Sequence, residues 1–561
     1  MVNVKNLFGM AVVATALVGC SSSDDLATDV KGNESKTEAA YASFKINLPT
    51  TTGTRAAGDP TFDEGTAAEY EVKNGTILIF DNSGNFVESA DLGTMNPWTK
   101  DTDPNGVTTA AAVTVKLSKA AVGGNYQALV LLNNNTNTTE QKVTLPNDGD
   151  SYTTWSATVG NANPDNYEKT DGIFMANAPK YVSNTENPTT LVAFNNVYAS
   201  REQAQANPAT TVYVERGLAK VTMDNFATDY PISGGTYDGD KVVIKNWQLD
   251  VTNKSTFPIH QANLKSEWSD IWTTSRFYDN TSSAFKRVYW GIDPNYSLGL
   301  TDLDKCKASF FIANKDGKKY SDGTTNVAWT ASGTSQYCLE NTFDINNMKQ
   351  GQTTRVIFKA TYTPKALLGE SDKTFFMIGN NPNIWTKTTL IQQITNKAKV
   401  LHANVASVDF KSDAALLKAG SHNLTADDIT IKDASDNAIT TINFVDLNSK
   451  LGLVNGLLIN TYAGGECYYI ARIKHFNELT PWGAGQPTYG VINDTNNDSY
   501  LGRYGVLRNN WYELTVNSVS GPGYPDVPEV KPTEPDDENT KFINVEVKIL
   551  DWAKRSQSID L

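Results

Sequence analysis

The chain has 561 residues, 39% hydrophobic and 20% charged, which is too long for one ordinary core and reads as a soluble globular protein of two or three domains. A formal net charge of -14 argues against nucleic acid or anionic lipid as a partner. Short segments rich in threonine, asparagine, glycine and tyrosine, broken by turn residues, favour sheet over helix.

The opening MVNVKNLFGMAVVATALVGC has an early lysine, an apolar run and then small residues. It reads as a secretory signal, because Leu7 to Gly19 is too short to cross a bilayer. Its end, LVGC, resembles a bacterial lipobox with Cys20 as the lipidated residue, and the following SSSDD resembles the acidic tag of surface-exported lipoproteins in the Bacteroidetes. Asp24 to Ala40 is polar and poor in aromatics, as a flexible tether is. In the next stretch, YASFKINLP, the residues Ala42, Phe44, Ile46 and Leu48 alternate with polar ones, predicting a half-buried strand over 41–48 closed by Pro49. TTTGTRAAGD then reads as a protease-accessible loop. Arg55 is the first arginine of the chain and the next is Arg201, so an arginine-specific protease has one early target, cutting before Ala56. Taken alone, Arg55 also reads as a solvated surface arginine.

From Tyr70 onward strand-like runs recur at the intervals of a sandwich: EYEVKNGTILIFD, AAVTVKL, NYQALVLLNN and TTLVAFNNVYAS. VYVERGLAKVTMDNF (212–226) reads as one strand or two short ones, and DKVVIKNWQLDVTN, TTRVIFKATYTP, ECYYIARIKHF and NWYELTVNSVS continue the pattern. Helices are expected near 388–404 and 413–420. A domain boundary falls near Arg216 and the second domain ends near Ser520. The stretch 521–540 is proline-rich and acidic, and reads as a stiff linker. Beyond it, KFINVEVKILDWAKRSQSIDL carries the cleanest alternation in the chain, with Ile543, Val545, Val547 and Ile549 on one face. Trp552 adds an anchor, Ile559 and Leu561 resume the pattern, and the Ile549–Leu550 pair suggests a bulge. A strand on a stiff linker reads as meant for another molecule; the competing reading is a domain's own last strand.

Little points to chemistry. With Cys20 set aside, Cys306, Cys338 and Cys467 are an odd number, allowing at most one disulfide, with Cys306–Cys338 and free buried thiols both open. His260, His402, His422 and His475 are scattered outside any zinc spacing. DTDPNG (101–106) resembles the start of a calcium loop, but Ala112 stands where the bidentate glutamate belongs. No catalytic residue, metal ligand or cofactor site is assigned. An unmarked carboxylate pair of a secreted hydrolase remains a rival reading.

The ending FINVEVKILDWAKRSQSIDL resembles the C-terminal segment of the Bacteroidetes fimbrillins of the minor-fimbrium type, in its VEVKIL strand, the tryptophan after it and the terminal hydrophobic-Asp-Leu. VLRNNWYELTVNSV matches, through Arg508, Asn509 and Tyr512, the strand that closes the family's second domain. VERGLAKVTM matches its interdomain crossing, and Arg55 followed by small residues its processing site. One departure is Asp551, where the family commonly has proline. The resemblance implies a mainly β protein of two β-sandwich-like (transthyretin-like) domains, 56–216 and 217–520, behind a signal peptide (1–19) and a propeptide (20–55). It implies a type V fimbrial stalk subunit, lipidated, carried to the outer membrane and cut after Arg55. The removable strand then gives way to a neighbour's C-terminal strand. Expected partners are identical subunits head to tail, accessory tip and anchor subunits, an arginine-specific protease, and host or bacterial surface receptors. The alternative function is a surface glycan-binding lipoprotein of a polysaccharide-uptake system.

Overall fold

Alternating apolar residues at the start of the folded body form β1 (Ala40–Pro49), as the sequence predicts. The computed structural model describes residues 39–49, 66–93, 99–100, 107–134, 143–158, 172–182, 188–262, 286–313, 329–475, 501–536 and 542–550. After β1 come the short helix α1 (Ala67–Tyr70), β2 (Gly75–Phe80), β3 (Phe86–Asp91), β4 (Val107–Leu117), β5 (Tyr126–Leu132), β6 (Met175–Asn177) and β7 (Thr210–Arg216). These strands join in the order β3-β2-β5-β6-β7-β1-β4. The sheet folds over on itself. Ala42, Phe44 and Ile46 of β1 share one buried cluster with Ile77 and Ile79 of β2 and Val130 of β5, as in a sandwich.

One residue past β7, the chain re-enters a different sheet as β8 (Leu218–Met223), followed by β9 (Lys241–Asp250), β10 (Ser335–Leu339), β11 (Arg355–Thr363), β12 (Glu466–Arg472), β13 (Trp511–Val519) and β14 (Ile543–Leu550). The sheet β10-β8-β13-β14 faces the sheet containing β9-β11-β12. Val221, Tyr512 and Leu514 meet Trp247, Phe358 and Tyr469 in the core between them. Both systems are mainly β and sandwich-like, the class expected from sequence.

An added lobe between β11 and β12 was not foreseen. Its core joins Leu390, Ile394 and Ala398 of α2 (Lys387–Leu401) to Leu447 and Leu451 of α3 (Phe444–Leu451) and to short strands such as Ile429–Lys432. Spacings of four put the α2 trio on one face, and the Thr386 hydroxyl caps its first turn by accepting from the Thr389 amide. The helix expected near 388–404 is therefore present. That expected near 413–420 is only a single 3-10 turn, Ala415–Leu417, before an extended segment at Gly420–His422.

The proline-rich segment departs from expectation. Residues 521–536 are packed on the second sandwich, with Val527, Val530 and Asp536 buried. Proline has no amide to donate, but its neighbours' carbonyls still accept. Tyr462 donates to the Gly523 carbonyl at 2.8 Å, Tyr469 to Gly521 at 2.9 Å and Arg355 to Pro528 at 2.6 Å. Tyr468 and Tyr524 exchange two backbone hydrogen bonds, and Thr353 holds the Asp536 carboxylate at 3.0 Å. The segment is a strap, not a free tether. Cys306, Cys338 and Cys467 are all free and buried, so the bonded alternative for Cys306 and Cys338 falls away.

Candidate functional site: first strand, last strand and the crossing

β1 is an interior strand. It pairs antiparallel with β4 from Ala40↔Leu117 to Leu48↔Thr109, and parallel with β7 from Phe44↔Thr210 to Asn47↔Tyr213. Ala42, Phe44 and Ile46 are fully buried and Leu48 is 2% exposed. Phe44 meets Phe194 edge to face, with ring centroids 5.0 Å apart. Burying Phe44, Ile46 and Leu48 at roughly 1.5–3 kcal/mol each contributes about 5–9 kcal/mol before ordering costs. Asn47 points away from that core and is 3% exposed, yet its Oδ1 has no hydrogen-bond partner among the described residues. The four apolar residues singled out from sequence thus line one buried row. Arg55, Ala56 and Cys20 lie outside the described residues.

β14 is an edge strand. It pairs antiparallel with β13 from Val519↔Ile543 to Trp511↔Leu550, so the last strand rests on its own body. The reading of 521–540 as a stiff linker is corrected over 521–536, which pack on the same body as the strap. Val545 packs against the second core, and the backbones of Ile543, Val547 and Ile549 lie in the same ladder. The predicted bulge at Ile549–Leu550 is absent. The register shift sits on the partner strand, between Val516 and Ser518. Trp552, Ile559 and Leu561 lie outside the described residues. β1 and β14 occupy different sheets and are not brought together.

Between them, the chain crosses from β7 to β8 at Gly217, where the motif residues converge. Glu215 accepts from Arg287 Nε at 2.9 Å and pairs with His260 Nδ1 at 2.6 Å. Burial pushes the Glu215 carboxyl up, but the Arg287 and His260 charges outweigh it and hold it at about 2. Arg508 donates to Glu340 at 2.9 Å and to the Pro258 and Phe257 carbonyls, and its own carbonyl accepts from Arg287. Asn509 adopts the left-handed region at φ 57°, which asparagine tolerates, and its side-chain oxygen accepts from the Arg216 amide. The Tyr512 hydroxyl accepts from the Leu507 amide at 2.9 Å. Sequence reasoning recognised Arg508, Asn509 and Tyr512 as landmarks but missed their role. Charged residues inside an otherwise apolar strand, Glu215 and Lys220, were the available signal.

A cleft of about 620 Å³ opens beside this region, lined in part by Tyr152, Lys180, Thr190, Tyr213 and Gln261. Among the described residues no group of three His, Cys, Asp or Glu could hold a metal ion.

Residues 460–558, which span β12, β13, the strap and β14, match the family described as major fimbrial subunit protein type IV, fimbrillin, C-terminal. This C-terminal part of the chain is similar to the fimbrillins. The match covers the elements that carried the resemblance at the C-terminal end of the sequence. No curated protein matches the chain. Among solved structures, it is similar to a fimbrial assembly protein from Parabacteroides distasonis ATCC 8503, with 14% identity over 39% of this chain and a TM-score of 0.23. That alignment spans 65% of the Parabacteroides protein, less than two thirds of its length. A putative polysaccharide binding protein from Bacteroides thetaiotaomicron VPI-5482 is similar at 9% identity over 58% of this chain and 77% of its own, with a TM-score of 0.18.

Proposed function

We propose that this chain is a fimbrillin, a structural stalk subunit of a type V fimbrium, exported as a lipoprotein through Cys20 and polymerised by protease-triggered donor-strand exchange. The observation that carries the reading is the placement of β1. It is an interior strand, buried along one whole face, and it precedes the only early arginine, Arg55. While the connection through Arg55 is intact, β1 sits beside its groove at an effective concentration on the order of millimolar, so an outside strand competes poorly. Cutting after Arg55 makes β1 a dissociable ligand. Its loss leaves β4 and β7 with unpaired edges over an apolar groove, which a strand from another copy repairs.

The C-terminal strand suits that role despite its resting place. On β13 it has a ladder on one side only, whereas the β1 position offers a ladder on both. With each hydrogen bond worth about 0.5–1.5 kcal/mol net, moving from edge to interior is downhill. The strap fixes the chain as far as Asp536. Beyond it, a fully extended segment at about 3.3 Å per residue reaches roughly 80 Å. A head-to-tail contact of this kind does not close and gives a filament at the cell surface. We read 56–216 and the residues from 217 onward as its two domains.

The test is tryptic processing of the purified precursor, scored for SDS-resistant ladders. Wild type forms them, while Arg55→Ala and a chain ending at Asp536 do not. Ladders from either variant sink the reading. The cleft by Tyr213 keeps a second reading in view, a glycan-binding surface lipoprotein. That protein retains polysaccharide binding in both variants.

A further inference from the structure

The segment that follows the scissile connection is tied to the second sandwich before it enters the first. Glu69, in α1, is 3% exposed. Its carboxylate accepts from Lys220 Nζ of β8 at 2.7 Å and from the Tyr337 hydroxyl of β10 at 2.5 Å, and it also caps the Thr66 amide at 2.6 Å. Its backbone carbonyl accepts from Arg216 Nε at 2.8 Å, on the far side of the crossing. The Lys220 ammonium lies 3.7 Å from the ring centroid of Trp511, the first residue of β13. Burial pushes the Glu69 carboxyl up, but the bonds from Lys220 and Tyr337 outweigh it and hold the group below its ordinary value. Past this cluster the chain continues into the first sandwich, where the Lys73 amide donates to Asn133 Oδ1 at 2.8 Å.

We propose that Glu69 is a positioning residue that anchors the mature N-terminus to β8 and β10 once the upstream connection has been cut. The proposal rests on cleavage after Arg55. Its physical need is plain: a cut turns the chain after Arg55 into a new terminus, and termini fray unless they are tied. Fraying past Val72 strips the lead-in to β2, a strand of the same core that β1 leaves. With Glu69 in place, processing separates the removable strand and nothing else.

The test uses the same tryptic digest of the full-length precursor, read by mass spectrometry of the new N-terminus. After Arg55, the next tryptic site is Lys73. In wild type the product begins at Ala56, and cleavage after Lys73 is slower by on the order of 100-fold, as expected for a site that must first break a buried charge cluster. Glu69→Ala brings the two cleavages within about tenfold of each other and gives a product beginning at Asn74. Lys220→Met, on the other side of the contact, does the same. Glu69→Gln keeps Oε1 as the acceptor for Lys220 and Tyr337, gives up only the cap on the Thr66 amide, and restores the Ala56 product. Lys73 cleavage as fast as that at Arg55 in wild type overturns the proposal, as does a Glu69→Ala product that stops at Ala56. Circular dichroism of the uncut variants separates local loosening from failure to fold, with Lys220→Met as the independent case. An uncut Arg55 in wild type refutes the processing site, while the rate of Lys73 cleavage in Glu69→Ala against that in wild type still scores the anchor.

Discussion

Replacing Phe44 with alanine removes the largest side chain that β1 contributes to the first core. Phe44 is fully buried and meets Phe194 edge to face. Truncations of this kind cost about 3–5 kcal/mol in a packed core. At 1.4 kcal/mol per factor of ten, about 4 kcal/mol predicts that β1 leaves the processed subunit on the order of 1,000-fold more readily. The intact precursor hides much of this loss, because the tether keeps the weakened strand beside its groove. The assay is stopped-time trypsin treatment, with release of the 20–55 fragment and ladder formation followed in parallel. Phe44→Ala is expected to release faster and to form ladders sooner. The ladders themselves are expected to match wild type in resistance to heat and SDS, since the proposed fibre does not contain the altered strand. Val545→Ala, which changes the proposed donor, is expected to weaken the fibre instead. Unchanged release in a folded Phe44→Ala precursor refutes the reasoning, and so does a fibre weakened by Phe44→Ala.

Asn47→Val removes the buried Oδ1 that lacks a partner and adds apolar surface, so fragment release is expected to slow by about tenfold in the same assay. Arg355→Ala breaks a buried ion pair with Asp250 at 2.8 Å and the strap bond to Pro528. It is expected to lower stability by about 3–5 kcal/mol in urea melts and to open 521–536 to proteolysis. Glu215 has a folded pKa of about 2 against an ordinary 4.5, so its charge stabilises the fold above pH 4.5. That stability, about 3 kcal/mol, is lost as pH falls from 4.5 toward 2. Thermal melts across this window are expected to steepen for wild type and to flatten for Glu215→Gln.

Period-two patterns were legible wherever a strand is buried on one face, because local alternation alone decides which side chains share a core. That is why β1 could be placed within a residue of either end, and why the alternating run Ile543–Ile549 falls within β14. The lobe between β11 and β12 was illegible for the opposite reason. Its strands span two to four residues, and its core is assembled from α2, α3 and segments far apart in sequence. The strap was misread because prolines announce what their own nitrogens cannot do, while the donors that hold it, Tyr462, Tyr469 and Arg355, lie 50 to 175 positions upstream. The crossing cluster was half-read. Arg508 and Asn509 were picked out through the family resemblance, but their partners Glu340, Arg287 and Arg216 are distant in the chain and meet them only once two sheets are in place.

The two termini differ in a way that favours directional assembly. β1 has neighbours on both sides and a core face closed by Phe194, so leaving requires the simultaneous loss of two ladders. β14 has one neighbour and enters its ladder through Phe542, a phenylalanine held at φ 66°. A left-handed backbone costs a non-glycine residue roughly 1–2 kcal/mol, which detachment relieves. Strand release from the edge is therefore the easier step, and strand release from the interior the one that needs a trigger. Under the proposed processing, a trigger at the Arg55 connection would control the slow step and leave the fast one free to follow it, and subunits are expected to accumulate unpolymerised until they are cut.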